Sequence, residues 1–340
     1  MDSKPLINRL LSGIVIVKIK GIYVYIKPAK VEDKAFADFF AYEIYQDSLL
    51  EGVLTRQDVN ELLIEKGWWD EEREEKVETL NKNLEQMKLD YYSHFFREET
   101  KNYIKKNIVR QQKNINRLWE EKTVCFDKTC EYVRDYAKTA VIVEKSAFFE
   151  DGSLAAEQIS SHILVNAFLK QLLDDEQVRE AAKSAEWRVL WNSTKDATNI
   201  FKLNGCDLTN EQISVVAWSR FYDGVYESME RPNEEIIKDD LALDGWSIAQ
   251  ERKRKEEEKK QEGEKLAGNA QDADEIFIPV SNQKEQDQVL ALNDTYGKSV
   301  IKSKAKQFEK GGVFKETDLT HVKKEIQMES LRQAKENRRR

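Results

Sequence analysis

Residues 70–122 read DEEREEKVETLNKNLEQMKLDYYSHFFREETKNYIKKNIVRQQKNINRLWEEK. In the first half, Val77, Leu80, Leu84, Met87 and Tyr91 recur at alternating steps of three and four, with charged residues between them. That is the heptad spacing of a helix with one apolar seam. A break is expected near Phe95–Thr100. A second helical segment, with Ile104, Ile108, Ile115 and Leu118, follows to about Lys122. The simplest fold is an antiparallel helical hairpin, each arm of about 25 residues and roughly 37 Å. An open parallel coiled coil is the alternative, but the stripe is short and interrupted.

Upstream, residues 14–27 switch to period two. Val-Lys-Ile-Lys from Val17 alternates, and Tyr23 and Tyr25 alternate against Val24 and Ile26, with Gly21 between the runs. Two short strands in a hairpin are expected. Such a hairpin is marginal alone, so it either caps the helical body or offers an edge for strand addition by a partner. After Pro28 the pattern becomes helical, with Phe36, Phe39, Phe40, Ile44 and Tyr45 as the expected apolar face. Thr55 and Asp58 stand close to capping-box spacing, and Gly67 ends that helix before Trp68 and Trp69, both expected as core anchors.

Downstream, helices are expected over residues 127–149 and 155–173, separated by the turn Asp151-Gly152-Ser153. A helix with Trp187, Leu190 and Trp191 comes next. Thr209 then caps a helix carrying Ile213, Val216, Ala217, Phe221 and Tyr222, with Gln212 at the capping-box position. Arg231-Pro232 breaks it. An acidic stretch, Glu234, Glu235, Asp239, Asp240 and Asp244, leads into Gly245-Trp246.

Composition agrees with a helical reading. Only 4 prolines and 13 glycines occur in 340 residues, and 35% of side chains are charged. That charge exceeds the roughly 25% of a fully packed globule, so part of the chain is expected to be unpacked or to form exposed helix. After about Gln250 the last 90 residues carry 21 basic and 18 acidic side chains and little apolar surface, the composition of a disordered charged tail. Its start, to about Lys265, reads as a solvated helical extension. One island, Ile276-Phe277-Ile278-Pro279-Val280, is a candidate docking motif. The expected architecture is mainly α. It comprises a hairpin in 1–30, a helical region with the long hairpin in 31–150, an aromatic-rich helical region in 151–250 and the tail in 251–340.

Specific chemistry is not written in the sequence. There is no glycine-rich phosphate loop, nucleophile elbow or kinase motif set. His94, His162 and His321 are scattered, and Cys125 and Cys130 are poorly spaced for zinc, so neither a metal nor a cofactor is expected. Three cysteines imply a reducing compartment. Asp240, Asp244, Gly245 and Glu251 fall at calcium-loop positions one, five, six and twelve, but Ala242 and Trp246 occupy positions three and seven. A net charge of −8 argues against general nucleic-acid binding. The apolar run Ile14–Ile26 is too short to cross a bilayer, and a cytoplasmic protein is expected.

Three stretches carry a family resemblance. They are Trp187-Arg188-Val189-Leu190-Trp191, then Leu208-Thr209 with Val216-Ala217-Trp218-Ser219-Arg220-Phe221-Tyr222-Asp223, then Arg231-Pro232, Asp239-Asp240 and Leu243-Asp244-Gly245-Trp246. With Leu54-Thr55 through Glu65-Lys66-Gly67-Trp68 upstream, this order resembles structural or assembly proteins of large contractile-tailed bacteriophages, over about half the chain. The resemblance carries no catalytic residues. It implies a non-enzymatic role in tail or baseplate assembly, as virion component or assembly chaperone, in the host cytoplasm during assembly. The partners would be other phage structural or tail proteins, or further copies of the chain. The other function class is a nucleic-acid-associated factor using Lys302, Lys304, Lys306 and the terminal arginines. A third, an enzyme, would require carboxylates around Asp239–Asp244 to converge on a deep pocket.

Overall fold

Lys20 and Gly21 both lie in the left-handed region, with φ of 49° and 89°. This two-residue turn matches the twist of the strands it joins, β1 (Val15–Ile19) and β2 (Ile22–Ile26). The register pairs Ile19 with Ile22 and Val15 with Ile26. Val15, Val17, Ile19, Val24 and Ile26 point inward, as the alternation requires. The period-two pattern predicts two strands. A third, β3 (Ala147–Phe148), adds antiparallel to β2 through Tyr25–Phe148 and Ile26–Ala147, giving a sheet of order β1-β2-β3. Two residues at a helix end have no periodicity to reveal them.

The computed structural model describes residues 4–267. The chain divides into one unit of residues 1–248 and a second of 249–340. Thirteen α-helices occur among the described residues. The first, α1 (Lys4–Ser12), precedes the sheet and has no counterpart among the elements expected from the sequence. Its Ile7 and Leu10 join a core built a hundred and more residues downstream.

Helix α2 (Val31–Leu50) follows, then α3 (Arg56–Glu65). Thr55 caps α3 in a complete capping box with Asp58, and Gly67 (φ 67°) closes it. The two tryptophans at this corner part company, because neighbouring residues leave a turn in opposite directions. Trp69 is buried and donates to Glu74 at 2.8 Å, whereas Trp68 is exposed.

The hairpin of α4 (Glu71–Ser93) and α5 (Glu98–Thr123) forms with the break where the sequence placed it. Lys122 near the end of α5 pairs with Glu74 near the start of α4 at 2.8 Å, and Gln111 donates to the Leu80 carbonyl, which fixes the antiparallel register. Val77 and Leu118 pack with Val59, Leu63 and Trp69 at one end of the hairpin. Tyr91, Phe95 and Ile108 pack with Ile236 and Ala242 at the other.

Helix α6 (Cys130–Ser146) is shorter at both ends than the sequence reading. Its first residues form a 3-10 turn, Phe126–Lys128, and Ala147 passes into β3. The helix expected over 155–173 is likewise reduced to a 3-10 turn, Ala155–Glu157, and α7 (Ser161–Leu169). Val143, Leu164 and Val165 close over the inner face of the sheet.

The largest core gathers α1, α8 (Asp175–Lys183), α9 (Ala185–Thr194), α10 (Ala197–Phe201), α11 (Asn210–Glu227), α12 (Glu234–Lys238) and the start of α13 (Asp240–Ala267). Buried Gln212 completes the expected capping box with Thr209, and its amide nitrogen donates to the Leu10 carbonyl at 2.9 Å. One side chain thus starts α11 and holds the end of α1. Gly13 (φ 65°) permits this approach, since a Cβ there would stand 2.7 Å from Pro28 and 3.0 Å from Gln212. The charged stretch after Gln250 is helical as far as Ala267, and its side chains from Glu251 to Glu258 are exposed. The expected disordered tail beyond it, with the island Ile276–Val280 and the basic residues Lys302, Lys304 and Lys306, lies outside the described residues.

Candidate functional site

Residues 187 and 191 stand one turn apart on α9, as 219 and 223 do on α11. Trp187 donates its indole N–H to Ser219 Oγ at 2.8 Å, and the Ser219 hydroxyl donates to the Val215 carbonyl at 2.6 Å. Trp191 donates to Asp223 Oδ2 at 2.8 Å, and Arg188 donates to Oδ1 at 2.6 Å. Both tryptophans are buried, so each ring supplies apolar surface while its one polar atom is satisfied. Burial pushes the Asp223 carboxyl up, but the hydrogen bonds from Trp191 and Arg188, with the charges of Arg188 and Lys195, outweigh this. The group is held below the ordinary carboxylate value.

The acidic stretch is organised around one cation that the sequence reading did not single out. Arg179, on α8, has only 8% of its side chain exposed. It lies 2.7 Å from Asp240 and 2.8 Å from Asp244, donates to the Tyr222 hydroxyl at 3.3 Å, and covers the Trp218 ring at 4.4 Å. Lys183 reaches Asp240 at 3.1 Å, and Lys88 of α4 reaches Asp244 at 2.8 Å. Asp239 caps α13 by accepting from Ala242 N–H, and accepts a hydrogen bond from the Tyr91 hydroxyl at 2.8 Å. Burial, and then this bond to Asp239, push the Tyr91 phenol up. Burial pushes Tyr222 up too, against the opposing pull of Arg179.

Gly245 completes the joint. A Cβ there would sit 2.2 Å from the Lys88 carbonyl oxygen and 2.8 Å from Tyr92 Cβ, so α13 crosses α4 in close backbone contact. Trp246 is buried beside it and donates to the Glu230 carbonyl at 3.2 Å. Pro232 is also buried, and exposed Arg231 lies over the Tyr226 ring at 4.7 Å. The sequence-read residues Trp187, Trp191, Trp218, Tyr222, Asp223, Asp239, Asp240, Asp244, Gly245 and Trp246 are therefore brought together in one helical joint.

That joint is built of neutralised charge. Asp239, Asp240 and Asp244 each have a hydroxyl or cation in contact and do not converge on an open space. Only Asp244 borders the shallow cleft of about 420 Å³ beside them, with Lys88, Trp218, Phe221 and Ile248. The calcium-loop positions from Asp240 to Glu251 are continuous helix, a geometry that cannot wrap an ion. Among the described residues no group of three or more His, Cys, Asp or Glu side chains is placed to hold a metal. His162 contacts Tyr136 and Asn166, and His94 contacts the Asp90 carbonyl. Cys130 is buried, with its thiol donating to the Val53 carbonyl and its pKa pushed up by burial.

The surface tells a different story at α2. The aromatic spacing of α2 predicts that Phe36, Phe39 and Phe40 face the core. The structure turns the helix over. Its buried residues are Ala37, Ala41 and Ser48, which sit against α6, while Phe36, Phe40, Tyr42 and Phe39 (64% exposed) face solvent with Leu50 (86%). Ile44 and Tyr45 lie at the boundary. Small side chains at positions 37, 41 and 48 allow α2 and α6 to approach closely, which the bulky face would prevent. Contiguous exposed apolar surface of this kind marks interaction sites. The spacing of those three small residues was the signal available in the sequence.

No family model, curated protein or solved structure matches this chain. Among the described residues no helix is long and apolar enough to cross a membrane.

Proposed function

We propose that this chain is a non-enzymatic assembly or structural protein of contractile phage tails, acting through protein–protein contacts. The observation that carries the interaction part is the aromatic solvent face of α2. A helix that buries alanine and serine while exposing three phenylalanines and a tyrosine has surface to be covered by something else. The phage context comes from the sequence resemblance across Leu54–Trp68 and Trp187–Trp246.

The test is co-purification of the tagged chain from phage-infected cells, with mass spectrometry of lysates and of purified virions. Recovery with tail or baseplate proteins is expected. Presence in virions assigns a component, and presence in lysate complexes alone assigns a chaperone. Stable association with no phage protein would overturn the reading.

A further inference from the structure

We propose that the solvent face of α2 docks a lysine- or arginine-rich amphipathic helix of a partner protein. This rests on the reading that the chain works through protein–protein contacts, and it commits to the partner's chemistry.

The charge around α2 is sorted. On the side next to α6, Asp33 and Asp38 are paired with Lys145 and Lys138, and Arg134 lies over the Tyr45 ring. The one basic residue of α2, Lys34, is held by the carbonyls of Cys206 and Leu208, both at 2.8 Å. On the outward side, Glu32, Glu43 and Asp47 are exposed and have no ion pair among the described residues. They flank Phe39 and Leu50, which lie on the outward face, while Phe36 borders the seam with α6. The surface on offer is therefore aromatic and negative, along a helix of 20 residues, or roughly 30 Å.

Each alternative occupant meets this charge differently. A second copy using the same face would set one acidic, uncompensated surface against another. An anionic membrane or a nucleic acid would be repelled. A basic helix pairs its cations with the acids, inserts its apolar stripe between the rings, and can lay a cation on a phenyl face. The protein already shows that last contact at the seam, where Lys145 stands 3.9 Å over Phe36.

The test uses the full chain and two labelled peptides of about 20 residues, the length of α2. One has leucine at helical spacing and lysine elsewhere. The other has glutamate in place of every lysine. Fluorescence anisotropy reads affinity, and hydrogen exchange reads location. The lysine peptide is expected to bind more tightly than the glutamate peptide, to weaken as salt rises, and to protect residues 31–50. Phe39→Ser should weaken it by roughly tenfold or more, as truncation of an interfacial hot spot does. Glu43→Lys with Asp47→Lys should reverse the preference between peptides. All three positions are exposed, and Trp68→Ser, at an exposed tryptophan outside α2, should change nothing.

Equal binding of both peptides, protection elsewhere, or indifference to Phe39→Ser would overturn the proposal. So would a homodimer in sedimentation that Phe39→Ser dissociates. If the peptide result fails while the chain still purifies with tail proteins, the docking proposal falls and the assembly reading stands. A specific α2 complex in a chain that meets no phage protein gives the converse.

Discussion

Gly245→Ala tests the central joint most sharply, because two effects of the same methyl group oppose each other. Within a helix, alanine is favoured over glycine by roughly 1 kcal/mol. At Gly245 the added carbon would meet the Lys88 carbonyl oxygen at 2.2 Å and Tyr92 Cβ at 2.8 Å. Both obstacles belong to the body of α4, so no flexible side-chain end can give way. The two helices must separate by about 1 Å, in an interior packed at crystal-like density. That movement also pulls on the Lys88–Asp244 ion pair and the Tyr91–Asp239 hydrogen bond, which span the same crossing. Overpacking of this kind costs about 1–3 kcal/mol. Less the propensity gain, a net loss of up to about 2 kcal/mol is expected, a fall in Tm of up to roughly 8 °C for a body of this size. Gly224→Ala is the matched control. Gly224 lies within α11 with nothing within 4 Å of the added carbon, so propensity alone should act. A gain of about 0.5–1 kcal/mol is expected there. Urea and thermal melts followed by circular dichroism measure both. A Gly245→Ala protein that gains as much stability as the Gly224→Ala control would refute the close crossing of α4 and α13.

Further expectations follow from the same contacts. Arg179→Met should destabilise by about 3 kcal/mol in urea melts, near the low end for a broken buried ion pair, because Asp240 and Asp244 keep Lys183 and Lys88. Trp69→Ala should cost about 3–5 kcal/mol and Trp68→Ala less than about 0.5, a contrast that denaturation of the two single variants will expose. Asp223 has a lowered folded-state pKa. Its contribution is present above the unfolded value and is lost as pH falls below about 4 through the folded one. Asp223→Asn should flatten that part of the stability–pH curve, and a curve identical to the parent's would sink the assignment.

Much of the helical plan was legible because it depends on local rules. The seam from Val77 to Tyr91, the capping boxes at Thr55 and Thr209, and the left-handed glycine after α3 each declare themselves within a few residues of chain. The joint was legible in part. Trp187, Trp191, Asp223 and the run Asp239–Trp246 stood out by residue type, but Arg179, Lys88 and Ser219 did not. An arginine amid other charged residues of a helix carries no mark of burial. Only the approach of α8 to α13 removes it from water and presents two carboxylates. Strand β3 and helix α1 escaped for the same reason, since each is held by partners distant in sequence.

For α2 the division is clearest. The sequence by itself determined that residues 31–50 form a helix and that one side of it is rich in aromatic residues. The small residues at 37, 41 and 48 offered a second candidate face, and only the approach of α6 decided that this is the buried one. A hydrophobic stripe records where water is unwelcome, but close helix packing selects for small volume. Ala37, Ala41 and Ser48 met α6, and the phenylalanines were left facing outward.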